Sequence, residues 1–266
     1  MKNGSDHGTK NVLVEFLLRL GDDRLILGHR LSEWCGHAPI LEEDIALANI
    51  ALDLLGQASA ILHLAGDVEG KNRTEDDLAY FREATQFKNL QLVEQPNGDF
   101  AFTIARLFFF STFNNLLCDV LQKSSYETLA GIAAKGFKES SYHLRHSKEW
   151  MLRLGGGTEE SHRRMQNAVN ELWRFTGEML VFDEVETELQ RLNTIPDLST
   201  IASQWSGAAA AVLTEATIII PFRQKDSGQA GNHAVSGSRH GFHSEYLGHL
   251  LAEMQILARS YPDAKW

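Results

Sequence analysis

From Leu25 to Ala58 the chain reads LILGHRLSEWCGHAPILEEDIALANIALDLLGQA, apolar at nearly every turn but threaded by a thin polar line. Asn49, Asp53 and Gln57 recur every four residues and therefore stack along one helix face. Ile45, Leu47, Ile50, Leu52, Leu54 and Leu55 surround that line with hydrocarbon, and a helix apolar on most sides is expected to be buried on most sides. Polar groups taken out of water must meet a metal or one another. That choice bounds what the chain can do.

Helical periodicity continues through the sequence. Helices are expected near 12–34, 40–65, 74–90, 97–123, 125–154, 159–180, 198–219 and 242–260. The five prolines fall where helices should start or stop. Gly36-His37-Ala38-Pro39 separates the first two helices, because a residue before proline avoids helical geometry. Gly155-Gly156-Gly157 closes another, and Thr158 is placed to cap the next. Ile218–Ile219–Ile220 reads as a helix end before Pro221, not a strand. Residues 1–11 read as a frayed tail and 222–241, rich in Gly, Ser, His and charge, as a mobile loop. One all-α domain over 12–266 is expected, of the bundle kind whose long helices carry polar groups inward.

A net charge of −10 argues against generic nucleic-acid binding, which needs concentrated positive charge. Two distant cysteines, Cys35 and Cys118, imply no disulfide framework. No secretory signal opens the chain and no uncharged run of about 18 apolar residues occurs. A cytoplasmic protein is expected. The most apolar segment, 100–121, carries Arg106, Asn114, Asn115 and Asp119.

A two-iron carboxylate site takes one Glu from each of two helices and a Glu-x-x-His pair from each of two others. Only Glu159–His162 has that spacing here, and it sits in a first helical turn where capping is the simpler role. Glu139/His143, Glu245/His249 and His29/Glu33 are four apart and share helix faces without the ligand offset. They read as side chains that satisfy one another, with Arg30, Lys138 and Arg145 as available cations. Cys35 near His37 reads as a packed thiol rather than a nucleophile. Phe108-Phe109-Phe110 and Phe113 read as core or helix interface, and His162-Arg163-Arg164 as a solvated face.

The blocks GDDRLILGHRLSEWCGHAPILEEDIALANIALDLLGQA, QFKNLQLVEQPNGDFAFTIARLFF, KESSYHLRHSKEWMLRLGGGT, ELWRFTGE and HSEYLGHLLAEMQ resemble the C subunits of bacterial multicomponent phenylacetyl-CoA epoxidases. The resemblance runs from about residue 12 to Trp266. It implies an all-α, ferritin-like bundle with additional helices, and a structural subunit without a catalytic centre. It also implies a stable complex with an A subunit that holds the di-iron centre and epoxidises phenylacetyl-CoA. A reductase with flavin and an iron–sulfur cluster would supply the electrons. No cofactor or metal is then expected on this chain. Its vestigial polar core would comprise Glu33, Asn49, Asp53, Glu139, His143, Glu245 and His249. Gln86, Phe87, Lys88 and Asn89 match the segment associated with the CoA end of the substrate cleft. The alternative is a di-iron oxygenase or ferroxidase in its own right, with unusual ligands.

Overall fold

The structure, a computed structural model, describes residues 3–221 and 236–264. Its elements are helices α1 (Asn3–Ser32), α2 (Leu41–Glu69), α3 (Glu75–Tyr80), α4 (Gln91–Glu94), α5 (Phe100–Leu121), α6 (Glu127–Gly155), α7 (Glu159–Thr176), α8 (Glu184–Arg191), α9 (Ile201–Glu215) and α10 (Glu245–Ser260). No strand occurs among the described residues. Two long antiparallel hairpins, α1/α2 and α5/α6, lie against each other in a ferritin-like bundle. The segment from Gly70 to Asp99 crosses between the hairpins. The remaining helices brace the outside, α7 and α9 against α5 and α8 against α1.

The most enclosed helix is α1, not α2: from Phe16 to Gly28 every residue is buried. α5 is the second, and Phe108, Phe109, Phe110 and Phe113 all lie in the core as the phenylalanine run suggested. The rings of Phe109, Trp173 and Trp205 pack within about 6 Å of one another, which ties α5 to α7 and α9. Trp205 also donates its indole N–H to the Phe109 carbonyl at 3.0 Å. Both α2 and α5 are long and apolar enough to cross a membrane, but 78% of the α5 window is buried inside the bundle. Half of the α2 window is buried; Leu41, Ile45 and Leu52 face outward at 70%, 55% and 66% exposure. The expectation that α2 is enclosed on most sides is therefore corrected. Its α1 and α6 faces are covered and a third face is open.

Caps fall largely where residue chemistry places them. Asp99 accepts from Phe102 N at 2.9 Å, and Thr158 accepts from Ser161 N at 3.1 Å as its position after the triple glycine suggested. Gly70 closes α2 in the left-handed region. The expected helix over 74–90 does not form as one piece. α3 ends at Tyr80, a short 3-10 turn covers Ala84–Gln86, and the chain then runs extended to α4. The cause lies on α1, where Asp22 and Asp23 take the amides of Lys88 and Leu90, each at 2.8 Å. Those amides would otherwise need helical carbonyls. α1 starts at Asn3, so 3–11 continues the helix instead of forming a separate tail. Of the expected mobile loop, 222–235 lies outside the described residues. Ser238–His240 forms a 3-10 turn fixed to α1.

Gly66 marks the closest backbone approach along α2. A Cβ there would strike the Arg73 carbonyl, a backbone atom that cannot rotate aside. Gly66→Ala should lose about 1–3 kcal/mol, as overpacked sites do. The thermal midpoint should fall by several degrees, readable by calorimetry.

Candidate functional site

The interior enclosed by α1, α2, α5 and α6 is where a ferritin-like bundle carries its metals. Here its centre is a guanidinium. Arg24, 3% exposed, donates Nε to Gln57 Oε1 at 3.0 Å, Nη1 to the Leu20 carbonyl at 2.7 Å and Nη2 to Asn114 Oδ1. Its Nη2 lies 3.7 Å from the Cys118 thiol, whose pKa burial raises. Gln57 passes the polar link outward, donating Nε2 to Glu139 Oε2 at 2.8 Å. Lys135 meets the other Glu139 oxygen at 3.5 Å. A cavity of about 10 Å³ beside Arg24, Gln57 and Cys118 has room for a single water at most.

Gln57–Glu139 is one rung of a ladder between antiparallel α2 and α6. The next is Asp53 Oδ2 to His143 Nε2 at 3.0 Å, and the third Glu43 Oε2 to His146 Nε2 at 2.8 Å. Burial pushes the His143 pKa down although Asp53 opposes it, which favours a neutral ring donating from Nε2.

A pair of irons does not fit this donor set. Two amides, one thiol and one carboxylate surround a fixed positive charge, whereas two cations need a majority of carboxylates. Among the described residues no group of three or more His, Cys, Asp and Glu is arranged for a metal.

The residues singled out from sequence divide sharply. Asp53, Glu139 and His143 do come together at the α2/α6 seam. Asn49 is exposed on the outer face of α2, and Glu245 and His249 are exposed on α10. Their four-residue spacing aligned them with one another but not with the core. Glu33 sits at the surface, held by Arg30 Nη1 at 2.7 Å and Asn97 Nδ2 at 2.9 Å. Lys138 and Arg145 point to solvent, so the interior cation is Arg24 instead. Cys35 is exposed, not packed, and His37 reaches its carbonyl rather than its sulfur. His162 bonds the Gly155 carbonyl at 2.8 Å, and Arg163 and Arg164 pair with Glu160 on the surface.

The 86–89 segment is closed over by the chain itself. Phe87 and Asn89 are fully buried, Gln86 caps its own turn through Glu83 N, and the Lys88 ammonium lies 3.4 Å from Glu15. Residues 237–244 cross above as a strap. Arg239 grips Asp23 with both Nη atoms at 3.0 and 2.8 Å and also donates to the carbonyls of Lys88 and Arg19. Ser244 N donates to Glu94 Oε1 at 2.6 Å. His243 places Nδ1 2.9 Å from Glu94 Oε2 and Nε2 3.0 Å from the Phe87 carbonyl. Both neighbours are acceptors, so only the imidazolium satisfies both. Burial lowers its pKa, but the hydrogen bonds to Glu94 and Phe87 and the Glu94 charge outweigh it and the net shift is upward.

Sequence reasoning passed over Arg24, Asn114, Cys118, Asp22, Asp23 and Arg239. A signal was present for the first group: Asp22-Asp23-Arg24 interrupts an otherwise apolar run between Leu20 and Leu25. Arg239 has no local signal, since its partner is 216 positions away.

These features define a ferritin-like, all-helical protein whose bundle centre is closed by an internal cation. A family model described as phenylacetic acid catabolic protein matches residues 1–266. The chain is also 46% identical over 256 residues to the Escherichia coli (strain K12) protein named as the C subunit of 1,2-phenylacetyl-CoA epoxidase, covering 96% of this chain and 100% of that relative. The chain belongs to the phenylacetic acid catabolic protein family.

Two outcomes check the site. Arg24→Leu orphans buried acceptors on Gln57, Asn114 and Leu20, each worth about 1–3 kcal/mol. Glu139→Gln keeps an oxygen for Gln57 and should change stability by less than about 1 kcal/mol in the same denaturant titration. Separately, a folded-state pKa above the unfolded value near 6.5 gives stability that is complete below that pH and lost as pH rises through the folded value. The stability gap between wild type and His243→Gln should therefore shrink from pH 6 toward pH 9. A gap independent of pH contradicts the imidazolium assignment.

Proposed function

We propose that this chain is a supporting, non-catalytic subunit of a multicomponent phenylacetyl-CoA 1,2-epoxidase in phenylacetate catabolism. Its partner is the A subunit that carries the di-iron centre, and a flavin and iron–sulfur reductase completes the system. The observation that carries the reading is Arg24. Its guanidinium occupies the position where the fold would house metals and is held there by Gln57, Asn114 and the Leu20 carbonyl. A fixed cation in a low-dielectric interior repels a second one strongly. The name of the Escherichia coli relative supplies the reaction and the subunit role.

The work of such a subunit is mechanical. It buries an apolar face of its partner and holds that partner's helices in register; obligate interfaces of this kind bury more than about 2,000 Å². Its own interior is stiffened by the three α2/α6 rungs, so the surface it offers is rigid. The CoA end of the cleft is left out of the role, because Phe87 and Asn89 face inward beneath the strap.

Co-expression with the A subunit should yield a stable complex whose iron is accounted for by the A chain. His143→Ala and Glu139→Ala should reduce the yield of complex while turnover per assembled complex is kept. About two irons per copy of this chain, purified aerobically with ferrous iron present, would instead support an oxygenase or ferroxidase. So would full assembly with abolished turnover in either variant.

A further inference from the structure

The open face of α2 has no cover within the chain. Leu41, Ile45, Asn49, Leu52 and Gly56 line it, all exposed. Their spacings of three and four residues make a seam of helix-packing type about 22 Å long. α2 contains no Lys or Arg, and the charges bordering the seam are Glu42, Asp53 and Asp67. Beside it, across the rungs to α6, the exposed residues are Lys135, Lys138, Tyr142 and Arg145, with the Arg145 guanidinium 5.5 Å from the Tyr142 ring. An apolar strip edged with carboxylates therefore lies next to a basic strip carrying an aromatic ring.

We infer that this two-helix face is an interface for a second copy of the chain. A two-fold axis along the α2/α6 seam sets α2 of one protomer over α6 of its partner, and the reverse. The contact is isologous, as closed dimers require. Both copies then meet a strip of opposite charge. Rotating the axis by a right angle in the same plane would instead set α2 on α2, carboxylate strip against carboxylate strip, which is repulsive. The complementarity is visible within one chain, and this is why a second copy is the occupant. Such a dimer is independent of the proposed epoxidase role, since it forms from the chain without other subunits.

Sedimentation velocity on the full chain, without other subunits, tests it. A dimer is expected at micromolar concentration, weakening as salt screens the charged strips. Ile45→Lys with Leu52→Lys should raise the dissociation constant at least about tenfold, and Lys138→Glu with Arg145→Glu should do the same. All four positions are exposed, so far-UV circular dichroism should be unchanged. Combining the two pairs should restore association, because the strips exchange sign. A monomer at every concentration overturns the inference, as does a dimer indifferent to both pairs. Either result assigns the face to a different protein.

Discussion

The guanidinium of Arg24 is the constraint around which the bundle is arranged. A buried cation is costly unless every donor finds an acceptor. Here the acceptors come from three helices: the Leu20 carbonyl of α1 itself, Gln57 of α2 and Asn114 of α5. The fourth helix joins through Glu139, which receives the Gln57 amide. One side chain thus fixes the mutual rotation of all four. It also gives the interior a charge sign that a metal pair cannot share.

The same helix organises the periphery. Asp22 and Asp23 immediately precede Arg24 and are fully buried. Asp22 pairs with Arg82, and Asp23 with Arg239. Complete burial drives the Asp23 pKa upward against the pull of Arg239. Each carboxylate also takes a backbone amide from the 88–90 stretch. That stretch is held extended by side chains, and the 237–244 strap is locked over it. The charged triplet of α1 thereby shapes two segments remote in sequence and screens Phe87 and Asn89 from any ligand.

Much of the fold was legible in the chain. The long periodic segments, the Thr158 cap and the burial of Phe108–Phe110 follow from local spacing and residue chemistry. The helix over 74–90 did not follow, because the acceptors that unwind it lie on another helix. Within the site, the Asp53/His143 and Glu139 neighbourhood was legible from four-residue spacing and from the lack of a Glu-x-x-His offset. The same spacing misplaced Glu245/His249 and Asn49. Spacing tells which residues share a helix face, but not which way that face turns.

The sequence by itself determined that the chain is helical, that polar groups must enter an apolar bundle, and that they are wrongly spaced for two irons. These are properties of periodicity and composition, which act over a few turns. The tertiary structure decided which cation neutralises the interior, which face of α2 stays open, and how Arg239 reaches Asp23. Each of these depends on pairing between residues tens to hundreds of positions apart. Such pairing is set by how helices rotate against one another, and no local pattern encodes that rotation.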